Sequence, residues 1–165
     1  DLDKVVGLNL SISGDTPEVY GVQMGFQGGG NKVAGVQMGL IYNYALDAFY
    51  GLQTSPARNF ADTQYGIQFG GWNVANDMWG AQVGWLRNQA GSGLGLMLGT
   101  INVSEARMRG IQIGFLNKSA GDMSGLQIGA VNICRGTLKG LQIGLANLAG
   151  PNGLLPFSIG LNAGF

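Results

Sequence analysis

Glycine recurs in this chain at one interval. Gly80, Gly95, Gly110, Gly125 and Gly140 stand fifteen residues apart, and each opens a similar phrase: GAQVGWLRN, GLMLGTIN, GIQIGFLN, GLQIGAVN and GLQIGLAN. Upstream the register continues through Gly7, Gly21, Gly35, Gly51 and Gly66 in steps of fourteen to sixteen. Downstream a degenerate copy, PFSIGLN, starts at Pro156. A chain built from copies of one short unit is constrained to stack them, because a single unit cannot bury its apolar face alone.

Inside a unit the apolar positions alternate, which is the period of a strand, and units broken by glycine this often make poor helices. On the rule that apolar residues go inside, Leu141, Ile143 and Leu145 are expected to face the core. Gly140, Gln142, Gly144 and Ala146 then face out. The same rule sends Ile113, Ile128 and Ile143 into one inward column. After the recurrent Asn (Asn102, Asn117, Asn132, Asn147) the alternation stops and polar stretches follow, as in VSEAR (103 to 107) and KSAGD (118 to 122). One more apolar residue, Met108, Met123 or Leu138, stands two places before the next glycine, and a corner at the glycine accounts for that break in alternation. The fold expected is all-β: a β-solenoid of about ten to eleven coils of about fifteen residues, with the Asn and Gln columns forming amide ladders. The alternative is an antiparallel β-meander or a β-barrel, the last segment from Phe157 to Phe165 alternating like a barrel's closing strand. Residues 1–165 read as a single array, with 1–6 as a candidate N-terminal cap and 151–165 as a degenerate last repeat or a C-terminal cap.

Composition narrows the function. Nine Lys and Arg balance nine Asp and Glu, and charged residues make up only 11% of the chain. There is no basic stripe for duplex nucleic acid and no polybasic patch for a lipid surface. Histidine is absent and Cys134 is the single cysteine, so neither a disulfide framework nor a Cys–His dyad can form within the chain. GGGNK (28 to 32) lacks the hydroxyl residue of a phosphate loop, since Val33 follows Lys32. The glycines of GSGLGLMLG (91 to 99) belong to the repeat, not to a dinucleotide fingerprint. Asp62, Asp77, Glu105 and Asp122 each stand alone in a polar stretch. The expectation is no enzyme, no metal and no cofactor.

Two features suggest a surface for partners. The Gln column, represented by Gln112, Gln127 and Gln142, is expected to run along an outer face. Aromatic residues gather between 42 and 85, with Trp72, Trp79 and Trp85 as candidate interaction residues that could stack on a sugar or a protein. Open coil ends are unpaired strand edges, so self-association end to end is expected, with the regular coils around Gly125 and Gly140 nearest the joining surface.

The phrase GLQIGAVN…GLQIGLAN resembles the Leptospira-type bacterial surface-repeat family, whose units read G-ϕ-Q-ϕ-G-ϕ-ϕ-N at about this spacing. The likeness is good over 110 to 150, moderate over 66 to 109 and loose before that. The Gln112–Gly114–Asn117 pattern and its copies are also similar to curli repeats, which are longer and carry a second Gln missing here. The resemblance implies a secreted or surface-displayed β-repeat protein without an assigned enzymatic role. Together these readings give a structural or interaction protein, extracellular or on a bacterial cell surface, self-assembling into fibres. Asp1 as first residue fits a processed chain. Its partners would be other copies, another surface protein or a glycan. Nucleic acid is excluded, and membrane insertion as an outer-membrane barrel or a role as a carbohydrate-binding solenoid stand as alternatives.

Overall fold

The structure, a computed structural model, describes residues 3–13 and 15–165. Seven strand elements follow one another, with no helix among the described residues: β1 (Lys4–Ser13), β2 (Glu18–Ser104), β3 (Arg107–Ile113), β4 (Leu116–Ser119), β5 (Asp122–Cys134), β6 (Leu138–Ala149) and β7 (Phe157–Gly164). The long β2 is several coils of extended chain running on without interruption. Pairing is parallel from β1 through β6, and repeat-equivalent residues fall above one another: Gly95, Gly110, Gly125 and Gly140, then Met97, Gln112, Gln127 and Gln142. The chain is a β-solenoid of about ten coils. The parallel register removes the antiparallel meander and the barrel.

The corner glycines set the coil. The ten from Gly7 to Gly140 have φ between 110° and 142°, a region that excludes most side chains. Stacking adds a second constraint, because a Cβ on Gly125 would collide with the carbonyl oxygen of Gly110 beneath it. Four residues on, a second glycine column (Gly99, Gly114, Gly129, Gly144) has ordinary backbone angles but faces inward. There a Cβ on Gly129 would strike the Gly114 carbonyl and come within 2.7 Å of Asn117 Nδ2.

That inward glycine reveals which face of the strand is inside, and it is the opposite of the sequence expectation. Gln112, Gln127 and Gln142 are fully buried, whereas Leu141, Ile143 and Leu145 are exposed, Leu145 by 74%. Ile113 and Ile128 are half-buried on that same outer face. The reason is hydrogen bonding. A lone buried amide costs several kcal/mol, but a column of identical amides at the strand spacing can satisfy itself. Gln37 donates to Gln23 Oε1 at 2.7 Å, and the ladder continues through Gln53, Gln68 and Gln82, then from Gln112 through Gln127 to Gln142, at 2.7–2.9 Å. Except at Gln112, the second N–H of each amide reaches a main-chain carbonyl, as from Gln53 to Phe60 at 3.1 Å. Asparagines form a second buried ladder from Asn43 to Asn147 at 2.8–2.9 Å. Its donors point toward the C-terminal coils while those of the glutamines point toward the N-terminal coils, so the two rows of amide dipoles oppose each other.

The apolar core lies at the other corner of the coil, joined by Met97 from the glutamine column. Met78, Met108, Met123 and Leu138, each two places before a corner glycine, pack with Ala75, Ala90 and Cys134. Val19, Val33, Ala45, Phe49 and Ala61 form the equivalent cluster in the first coils. The Gln ladder is broken once, where Met97 stands in its column. Gln112 Nε2 there meets only the Met97 sulfur at 3.5 Å, and Gln82 Oε1 is buried without a partner.

The last element departs from the repeat. After the turn beginning at Pro151, β7 runs back antiparallel to β6 from Leu148–Phe157 to Gly140–Gly164. It occupies the ladder edge that the sequence reading left open for end-to-end joining. Among the described residues β1 pairs only with β2, so the uncovered edge of the parallel array is the N-terminal one.

Candidate functional site

Three surfaces present side chains outward, and the inversion of the strand faces decides what each offers. The first is the broad sheet face at the first, third and fifth positions after each corner glycine. Its rows read Leu8, Leu10, Ile12 in the first coil and Leu141, Ile143, Leu145 in the tenth. None of the thirty positions in these three columns carries an ionisable side chain. The fifth-position column runs through Ile12, Phe26, Leu40, Pro56, Gly71, Trp85, Thr100 and Phe115, a variation in size that a packed interior would not accept. Toward the N-terminal end it hollows into a groove of about 540 Å³ lined by Leu10, Met24, Phe26, Met38 and Leu40. Gln112, Gln127 and Gln142 have no part in any outer surface, since their amides are consumed in the core ladder.

The second surface is a ridge beside this face. Tyr42, Arg58, Trp72 and Arg87 lie in successive coils and alternate ring with guanidinium. Arg58 sits 5.8 Å from the Tyr42 ring and 5.0 Å from Trp72, and Arg87 sits 5.7 Å from Trp72. Trp72 is therefore held between two cations and has no face free for a ligand. Trp85 meets Phe69 edge-on at 5.8 Å as part of the apolar face.

The third surface lies across the glycine corner, on the two outward columns that precede it. Tyr50 and Tyr65 stack at 4.8 Å with rings 5° apart, and Tyr65 continues to Trp79 at 6.2 Å. Stacking along the coil axis turns the ring edges outward and covers the inner faces of the stack, with Trp79 as its end ring on the side of the seventh coil. There Ser92, Gly93 and Leu94 leave a depression of about 390 Å³, walled by Asp77 and Trp79 on one side and by Arg107 and Arg109 on the other. Gly93 stands where neighbouring coils place Met78 and Met108, and a Cβ added there would come within 2.7 Å of the Met108 sulfur. A second depression of about 580 Å³ shares Arg107 and Arg109 and continues past Asp122 and Ser124 to Thr137, Lys139 and Asn152.

Trp72, Trp79 and Trp85, grouped in sequence, thus fall on three different surfaces. Of the three, only Trp79 borders a concave polar site. Sequence reasoning missed Arg107, Arg109 and Lys139; the signal was their position, one or three places before a corner glycine in coils two to four steps beyond that of Trp79. Cys134 is buried, and that burial pushes its thiol up from the usual value, which makes it a poor nucleophile. Among the described residues no group of three acidic or cysteine side chains is placed to hold a metal. Among the described residues no helix is long and apolar enough to cross a membrane. No protein-family model, curated protein or solved structure matches this chain.

Proposed function

We propose that this chain is a non-enzymatic interaction rod, displayed outside the cell on a bacterial surface, that works by pairing its uncharged sheet face with the same face of a second copy. The observation that carries this reading is the face itself: three outward columns over ten coils without one charge. At about 4.8 Å per coil and about 3.3 Å per residue the face measures roughly 50 Å by 17 Å, on the order of 800 Å². A stable protein–protein contact takes about 800 Å² from each partner, while an ordinary monomer leaves patches of only about 300–600 Å² exposed. Two such faces can pack as two sheets do in a sandwich, about 10 Å apart. The balance of nine cations against nine anions means that copies do not repel at long range. The lack of a flanking polybasic column speaks for a second copy over an anionic lipid surface. The surface location rests on the repeat resemblance, and the rod is the part of the expected fibre-forming behaviour that the geometry supports, through its side and not its C-terminal end.

Sedimentation equilibrium of the intact chain tests the pairing. A dimer or larger species is expected, with Leu98→Glu/Phe115→Glu, both on the exposed face, shifting it to monomer at unchanged circular dichroism. An intact chain that stays monomeric at high concentration overturns the reading, and binding to neutral vesicles in that case assigns the face to lipid.

A further inference from the structure

We infer that the groove from Trp79 to Asn152 is a binding site for an acidic oligosaccharide, a chain of pyranose rings bearing carboxylate or sulfate groups. Its two depressions lie on either side of Arg107 and Arg109, which line both, and follow one another along the coil axis. From the coil of Trp79 to that of Lys139 are four steps, or about 19 Å at the strand spacing, which is the length of a short oligosaccharide and far beyond a single small ion.

Each chemical demand of such a ligand has a matching group. A pyranose needs an apolar wall for its C–H face, and Trp79, half exposed at the end of the Tyr50–Tyr65–Trp79 stack, offers one. Leu94 stands between Trp79 and Arg109 in this column and, with Trp79, makes the apolar wall against which one ring can lie. The anionic group is met by Arg107 and Arg109, whose planar forks suit carboxylate and sulfate alike, and by Lys139 farther along. Hydroxyls are met by Asp77 and Ser92 at one end and by Asp122, Ser124, Thr137 and Asn152 at the other. Asp77 and Asp122 also weigh against a polyphosphate, which would bring dense negative charge against both carboxylates. A nucleotide would use Trp79 and the arginines but leave the hydroxyl-matching half empty.

The groove lies across the glycine corner from the apolar face, so binding can be read on the monomeric Leu98→Glu/Phe115→Glu chain as well as on the intact one. Failure of the pairing and failure of the site are then separate results. The experiment is calorimetry with an oligogalacturonate tetramer, a sulfated oligosaccharide of similar length, an uncharged cello-oligosaccharide and adenosine monophosphate. The expected result is binding of one or both acidic oligosaccharides that weakens with salt and is at least about tenfold weaker for the uncharged one. Trp79→Ala and Arg107→Gln/Arg109→Gln are each expected to weaken it about tenfold or more, while Trp72→Ala, on the opposite ridge, leaves it unchanged. The two acidic probes decide between carboxylate and sulfate. Equal binding of the uncharged sugar, tighter binding of the nucleotide, indifference to Trp79 and the arginines, or no binding of either acidic oligosaccharide at millimolar concentration would each overturn the assignment.

Discussion

At the scale of single residues the burial of glutamine governs everything else. Gln127 donates to Gln112 at 2.7 Å and accepts from Gln142 at 2.8 Å, so replacing it leaves Gln112 Oε1 with only the long 3.4 Å bond from Ser119 and one N–H of Gln142 unpaired. At about 1–3 kcal/mol for each, Gln127→Leu should cost about 2–6 kcal/mol in urea denaturation even though it adds apolar volume to the interior. Leu145→Ser on the exposed face should shift monomer stability by no more than about 0.5 kcal/mol. A larger loss at Leu145 than at Gln127 would restore the inward-leucine reading. Met97 supplies the opposite experiment. A glutamine there would give Gln82 Oε1 the donor it lacks and offer an acceptor to Gln112, which now faces only sulfur. Met97→Gln, close in volume, should therefore stabilise by about 1–3 kcal/mol, seen as a higher denaturation midpoint at unchanged slope. Cys134 contributes a pH dependence. Its thiol is pushed above the ordinary 9.0 by burial, so the folded state holds its proton longer than the unfolded chain. The stabilising effect of the neutral thiol is thus complete below that value and is lost as the pH rises through and beyond it. Melting curves should show a fall in stability on the alkaline side that Cys134→Ala reduces.

At the scale of the coil, the repeat made the fold legible while concealing its polarity. The fifteen-residue glycine spacing, the corner and the two amide columns could all be read directly, because backbone geometry and stacking leave little choice about them. Alternation identified two faces of the strand but not which one was inside. The usual rule failed because a stacked amide column has an alternative to water that a lone amide lacks. Two signals within the chain point the right way. Column five spans Gly71 to Trp85, as only a free surface permits, and the second glycine shares its parity with glutamine, as only a crowded interior demands. The candidate site was less legible, since Trp79, Arg109 and Lys139 are far apart in sequence and become neighbours only once the register is known. The corner itself predicts its own failure. Gly125→Ala would force a side chain into φ of +133° and against the Gly110 carbonyl, and should cost about 2–4 kcal/mol, with the loss visible in thermal melts.

At the scale of the whole molecule, the two ends of the rod are unlike, and this limits how copies can assemble. A parallel solenoid extends by adding coils, so an array uncovered at both ends is a template for filaments. Here β7 lies antiparallel on β6 and presents Phe157, Ile159 and Leu161 outward, while its Ser158 and Asn162 turn inward beyond the last coil. A further parallel coil cannot dock on β6 until β7 is displaced. With that edge covered, the expected association of the intact chain is the proposed sideways pairing through the apolar face. Truncation after Ala149 reverses this. It bares the β6 edge over Leu138–Ala149, including the last rungs of both amide ladders, Gln142 and Asn147, whose polar groups a second copy's first coil could meet in parallel register. The truncated chain should therefore form species that lengthen with concentration, seen as fibres by electron microscopy, whereas the intact chain stops at a defined paired species. Because Leu98→Glu/Phe115→Glu blocks only the sides, adding it to the truncation should thin the fibres to single rods without abolishing them. Fibres from the intact chain, or none from the truncated one, would show that β7 is not what holds the C-terminal end closed.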